Sequence, residues 1–258
     1  MSAQLLTERH GTTLVLTLSD PATRNALSPE LYAAGFEALV SAESDTEIRA
    51  VVLTGAAGHF CGGGNLGQLA LVRGQPAQQA ARVDALHAWV EAIRSHPKPV
   101  IAAIEGAAAG AGCSLALACD LLVASSAARF GLAYGKLGFT SDGGATHHLA
   151  HGLPRAQALE WLWLAQTRST AELDRLGLVN RVTEPGAALA EALLLAEQLG
   201  RMAPNALASA KQLLNQAATS TLAEQLPRER DAFVANVNHA NGGEGLAAWR
   251  DKREPRFE

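Results

Sequence analysis

The chain alternates between apolar runs and segments with helical spacing. Residues 4–18 read as two strands joined by a turn at His10-Gly11, with Leu14, Leu16 and Leu18 alternating with Val15 and Thr17. A loop follows at Asp20-Pro21-Ala22-Thr23-Arg24-Asn25. Ser28-Pro29-Glu30 then predicts a helix start: the Ser hydroxyl can accept from a free N–H, and Pro sits where no N–H is needed. Leu31, Ala34 and Ala38 give that helix an apolar stripe. Residues 50–55 form an almost wholly apolar run of strand length, as expected of a strand buried on both faces. Residues 67–82 have no clear period and are interrupted at Arg73-Gly74-Gln75-Pro76. Residues 83–95 place Val83, Leu86, Val90 and Ile93 on one helical face, and residues 100–104 and 120–124 are two further strands.

From about Pro154 the pattern turns mostly helical. Ser169-Thr170-Ala171-Glu172 is a capping box, and Gly177 ends the short helix it opens. Residues 178–182 are a short strand, and 187–201, 204–217 and 221–240 are amphipathic helices. Apolar strand-length runs alternating with helices predict an α/β fold. We divide it into a core over residues 1–200 and a C-terminal helical region over 201–258.

Composition narrows the class. The 258 residues are 48% hydrophobic and 18% charged, enough to bury a sizeable core, and aromatics are scarce at 5%. With a net charge of −4 and no basic run, nucleic acid is not expected as a partner. Cys61, Cys113 and Cys119 are an odd set without paired spacing, which predicts reduced thiols used in packing and a cytoplasmic protein. The eight histidines show no metal-binding spacing. The N-terminus has neither a basic leader nor a long apolar run, so neither a signal peptide nor a membrane span is expected.

Two small-residue stretches carry the chemistry. One is His59-Phe60-Cys61-Gly62-Gly63-Gly64-Asn65-Leu66; the other runs from Lys98 through Glu105-Gly106-Ala107-Ala108-Ala109-Gly110-Ala111-Gly112-Cys113-Ser114. Each follows a predicted strand, and small residues there let backbone N–H groups approach a ligand closely. The second leads directly into a helix, whose N-terminal N–H groups and dipole favour negative charge. Either stretch alone is equally well a tight turn chosen for packing. Two such sites facing one another make an oxyanion hole.

The pair, in this order, resembles the crotonase (enoyl-CoA hydratase/isomerase) superfamily. The resemblance extends over nearly the whole chain, including residues 21–27, 176–180 and 244–257. It implies a spiral of ββα units with a C-terminal helical region that drives assembly into trimers or dimers of trimers. It also implies an acyl-CoA thioester substrate, with coenzyme A arriving as part of that substrate and no separate cofactor or metal. The hole donors fall on the N–H groups of Gly64 and Ala111, where many members carry Gly at the second position. Arg24, Ala26, Gly62, Gly64 and Leu66 match positions lining the CoA site, and Lys252-Arg253 match residues near its phosphates; otherwise that pair is a solvated tail.

A hole needs a partner that moves a proton. Resembling hydratases activate water with two glutamates, but this chain has Ser114 and Tyr134 at those places. Neither is a general base near neutral pH without help. A carboxylate appears instead in Ser141-Asp142-Gly143-Gly144. Read locally, Asp142 is an N-cap for the following helix. The resemblance gives it another role: one subgroup, which includes the ring-epoxide isomerase of phenylacetyl-CoA breakdown, carries its catalytic Asp in such a turn. Here Ser141 replaces the usual Pro. The reaction implied is a double-bond shift with Asp142 as acid/base; hydration and non-catalytic CoA binding are the alternatives. Tyr134 is placed to line the acyl pocket or hydrogen-bond to substrate. His147 and His148 lie about one turn after Asp142, near enough to tune it, with at least one on the helix surface. Glu105 is read as structural, and Ser114 as a nucleophile lacks a His/Asp partner pattern.

Overall fold

The structure of the protein is a computed structural model that describes residues 3–258. Its large sheet runs in the order β1 (Gln4–His10), β2 (Thr13–Ser19), β3 (Ala50–Gly55), β4 (Val100–Ile104), β6 (Leu121–Ser125), β9 (Arg181–Thr183). The β1–β2 hairpin is antiparallel and every other pairing in this sheet is parallel. A smaller sheet holds β5 (Ala107–Ala109), β7 (Arg129–Gly131) and β8 (Thr167–Ser169).

The apolar runs are strands buried on both faces, and the two-residue period sorts their side chains into two cores. Val15, Ala50, Val52, Ile101, Ala103 and Val123 face α8 (Ala188–Gly200). That helix answers with Ala188, Ala192, Leu195 and Ala196, an i, i+4, i+7, i+8 stripe. The alternate positions, among them Leu16, Val51, Leu53, Ala102, Ile104 and Leu122, face the larger core. There they meet α1 (Pro29–Ser44), α3 (Pro76–Ser95) and α4 (Ala111–Ala118). Ser28 caps α1 as its sequence predicts, and Ser169 with Glu172 closes a capping box on α7 (Thr170–Arg175).

Three times the chain leaves the large sheet, pairs briefly in the small layer and enters a helix. From β3 it bridges the small layer in parallel through Cys61 with Ala108 before α2 (Leu66–Leu71) and α3. From β4 it passes through β5 into α4, and from β6 through β7 to a 3-10 turn (Ala133–Leu137) and α5 (Ala145–Gly152). This repeat is the ββα spiral. After α6 (Arg155–Leu164), β8, α7, β9 and α8 come α9 (Pro204–Ala217), α10 (Leu222–Val237) and α11 (Ala240–Asp251).

The structure departs from the sequence reading in several places, among them the strand expected at 178–182, which is β9 at Arg181–Thr183. The helix expected at 83–95 begins at Pro76, which takes its first turn without needing an N–H. The strands of the small sheet are three residues each, too short to show a period. The helix expected over 221–240 stops at Val237, and α11 follows despite Gly242, Gly243 and Gly245. Among the described residues no helix is long and apolar enough to cross a membrane.

The C-terminal helices are tied to the rest by polar contacts. Lys211 Nζ donates to the Ile93 carbonyl at 2.8 Å and to Asp120 Oδ2 at 2.7 Å, while Asn215 Nδ2 donates to the Arg94 carbonyl at 2.8 Å. The α1–α3 contact is apolar and tight. A Cβ on Gly35 would lie 2.1 Å from Cε2 of the fully buried Trp89. Gly35→Ala sets a helix-propensity gain of about 1 kcal/mol against an overpacking cost of about 1–3 kcal/mol or more. At 2.1 Å from an enclosed indole the clash wins, and we expect a net loss of roughly 2 kcal/mol in urea unfolding.

Candidate active site

Backbone pairing assembles the site before any side chain takes part. Cys61 N donates to the Ala107 carbonyl at 2.8 Å, and Ala109 N donates to the Cys61 carbonyl at 2.9 Å. These bonds lay the first small-residue loop alongside β5. At the far end Gly63, with φ +100°, passes so close that a Cβ would lie 2.8 Å from the Ala109 carbonyl oxygen. The loop at 24–27 closes the third side. Gly62 N donates to the Arg24 carbonyl at 2.7 Å, and Leu27 bridges Gly64 through Leu27 N to the Gly63 carbonyl at 2.7 Å and Asn65 N to the Leu27 carbonyl at 3.0 Å. Arg24, Ala26, Gly62 and Gly64 therefore share one loop cluster, with Leu66 opening α2 beside it.

Sequence reasoning missed the residue that pins this cluster. Asn25 is fully buried with φ +60°. Its amide donates to the Ala56 and His59 carbonyls, both at 2.8 Å, and its Oδ1 accepts from Asp20 N at 2.9 Å. Its signal was an Asn in a loop, one of the few residues that tolerate left-handed backbone.

Gly64 N and Ala111 N have no hydrogen-bond acceptor among the described residues. A Cβ on Gly64 would meet nothing within 4 Å, so space lies beside it. Ala111 is the first residue of α4, whose eight residues are all buried, and its N–H lies at the positive end of the helix dipole.

Asp142 is next to this turn. Its Oδ1 accepts from the Tyr134 hydroxyl at 2.6 Å, and Tyr134 Oη lies 3.2 Å from Ser114 Oγ. Burial and then the Asp142 carboxylate push the Tyr134 phenol well above its ordinary range, so it stays a donor. Asp142 does not cap α5: the cap is Gly144 in left-handed conformation with no side-chain bond, and only the Asp142 carbonyl accepts from Ala145 N, at 3.3 Å. The two glycines are required by close packing. A Cβ on Gly143 would lie 2.9 Å from Ser114 Cβ, and one on Gly144 3.0 Å from His148 Nε2.

A family model described as Enoyl-CoA hydratase/isomerase matches residues 8–258. The chain belongs to this family. The 2,3-dehydroadipyl-CoA hydratase of Escherichia coli is 34% identical over 255 residues, covering 99% of this chain and 98% of the relative. The 1,2-epoxyphenylacetyl-CoA isomerase of the same species is 34% identical over 246 residues, covering 95% and 94%. The crystal structure of an enoyl-CoA hydratase from Polaromonas sp. JS666 superposes with a TM-score of 0.97 at 53% identity, covering 98% of this chain and 99% of that one. The fold is the crotonase fold, and the protein is an enzyme of the hydratase/isomerase type.

Other residues singled out from the sequence lie elsewhere in this hydratase/isomerase scaffold or serve its structure. Glu105 Oε1 accepts from Gly186 N and Ala188 N, both at 3.0 Å, and so caps the entry to α8. Arg253 is held by Glu244 at 2.6 and 2.8 Å within the C-terminal region, and Lys252 ends α11 in left-handed conformation. The three cysteines are buried and free, and burial pushes the Cys61 and Cys113 thiols up to about 12, so they are inert packing groups. His147 is exposed and stacks on His151, while His148 turns inward beneath the Asp142 turn.

His148 Nε2 is buried without a partner among the described residues. Burial, then the charges of Arg94, His147 and His151, lower its pKa from 6.5 to about 4. The unfolded chain therefore binds more protons than the folded one between these values. The stability that neutral His148 retains above pH 6.5 is lost as pH falls toward 4, by an amount on the order of 2 kcal/mol. Urea unfolding at pH 7 and pH 4.5 should show this loss, and His148→Leu should reduce it.

Proposed function

We propose that the protein shifts a double bond within an enoyl-CoA thioester, with Asp142 as the acid/base. The thioester carbonyl accepts from the Gly64 and Ala111 N–H groups. Negative charge gathering on that oxygen makes the α-carbon acidic. Asp142 takes the α-proton of a 3-enoyl thioester, leaving a dienolate in the hole, and returns it to the γ-carbon to give the 2-enoyl product. One carboxylate is sufficient because the proton it removes is the proton it gives back. No metal or separate cofactor enters this sequence; CoA is carried by the substrate and lies along Arg24, Ala26, Gly62, Gly64 and Leu66.

The observation that carries this reading is the carboxylate of Asp142 bound to Tyr134 at 2.6 Å, with Ser114 a further 3.2 Å from that phenol. Relatives at equal identity bear both hydratase and isomerase names, so overall likeness does not choose the reaction. What supports isomerisation is that positions 114 and 134 offer hydroxyls where a two-glutamate water clamp needs bases. Hydration is the second reading, favoured by the name of the 53%-identical Polaromonas structure.

Asp142→Asn keeps the shape but cannot accept a proton. We expect isomerase turnover to fall roughly 10²–10⁴-fold while acyl-CoA affinity, read by calorimetry, is unchanged. Full activity of this variant would overturn the reading. With crotonyl-CoA, the native enzyme should hydrate well below on the order of 10² s⁻¹; a rate at or above that value would favour the hydratase.

We also propose that the protein is cytoplasmic and assembles as a trimer or a dimer of trimers. The C-terminal helices leave Leu214, Leu222, Phe233 and Trp249 at least 70% exposed, and Leu246 and Val234 more than half exposed. Apolar area of this kind favours burial against another copy. Light scattering at micromolar concentration should give a mass of three or six chains, and a monomer would contradict this.

A further inference from the structure

Tyr134 stands between the two halves of the proposed chemistry. On one side its hydroxyl donates to Asp142 Oδ1 at 2.6 Å, the length of a charge-assisted O–H···O⁻ bond. On the other, its ring carbon Cζ lies 3.9 Å from where a Cβ on Gly110 would sit. Gly110 is the N-cap of α4, one residue before Ala111. The phenol ring thus spans the gap between the carboxylate and the backbone turn.

We infer that Tyr134 is a positioning residue: it fixes one oxygen of Asp142, leaves the other to carry the proton, and sets the distance from that carboxylate to the oxyanion turn. This rests on the reading of Asp142 as the proton carrier. The phenol has one proton, and it donates that proton's hydrogen bond to Asp142. Its oxygen also lies 3.2 Å from Ser114 Oγ, which is in turn 3.3 Å from the Gly110 carbonyl. With the Tyr134 proton committed to Asp142, any hydrogen bond between Ser114 and Tyr134 has Ser114 as donor. The hydroxyl is therefore engaged within the protein and is not the group that binds substrate. A carboxylate held at one oxygen loses rotation about its terminal bond, and so presents a single lone-pair direction to both carbons between which the proton moves.

The test compares Tyr134→Phe, which keeps the ring beside Gly110 and removes only the hydroxyl, with 3-fluorotyrosine and 2,3-difluorotyrosine at position 134. Each enzyme is assayed for isomerisation of a 3-enoyl-CoA and titrated calorimetrically with butyryl-CoA, with Asp142→Asn in parallel. For Tyr134→Phe we expect kcat to fall ~10–100-fold with butyryl-CoA affinity within ~2-fold of native. The fluorinated forms, which retain the hydroxyl, should restore kcat to within ~3-fold of native and give values that vary with the strength of the donor. Unchanged kcat in Tyr134→Phe, or affinity lost in step with kcat, overturns the inference while leaving an inactive Asp142→Asn to support the base. Should Tyr134→Phe fail to fold, the fluorinated series decides alone, and a flat series overturns the inference. An active Asp142→Asn removes the base, and this inference falls with it.

Discussion

The architecture of the site depends on one short stretch of parallel backbone pairing, between Cys61 and β5. Two bonds of 2.8 and 2.9 Å lock the loop after β3 to the strand before α4. The positions of Gly62, Gly63 and Gly64 relative to the start of α4 follow from that lock. The packing around it admits few side chains: a Cβ on Gly112 would fall 2.6 Å from Cys61 Sγ, and one on Gly106 would fall 2.2 Å from the Gly58 carbonyl. The small residues are the geometric condition for the loops to meet.

Around this backbone frame, side chains divide into those that hold loops in place and those that form a polar row beside Gly110. Asn25 and Glu105 do the first: Asn25 bonds the Ala56 and His59 carbonyls and the Asp20 N–H, and Glu105 accepts from the Gly186 and Ala188 N–H groups. Ser114, Tyr134 and Asp142 come from three different elements or turns and meet in one hydrogen-bonded row. In this arrangement the frame does not constrain which chemistry the row performs. That is consistent with relatives of one fold bearing the names of both hydratases and isomerases.

Much of the fold is legible in the sequence because burial imposes period. The runs at 50–55 and 100–104 read as strands, and 204–217 reads as α9 with its bounds intact. What escapes is of two kinds. Three-residue strands have no room for a pattern, and α11 is hidden by three glycines whose helical state is set by tertiary packing. In the site, the two small-residue turns stand out locally, whereas Asp142 is singled out only by the family resemblance. The bond from Tyr134 to Asp142 does not stand out, since local sequence places both near turns without saying which way either side chain points. The local preference of Asp for a helix cap misleads for the same reason: the turn has two glycines, and the second takes the cap.

The burial of α4 has a consequence for salt. All eight of its residues are enclosed, so counter-ions cannot gather along its flanks. Mobile ions weaken fields mainly where they can approach the charges that make them. The positive potential at Ala111 is therefore largely independent of ionic strength, whereas the attraction of the exposed Arg24 for any anion declines as salt rises. The N-terminus of α4 and the Arg24 guanidinium are thus two differently screened regions of the molecule.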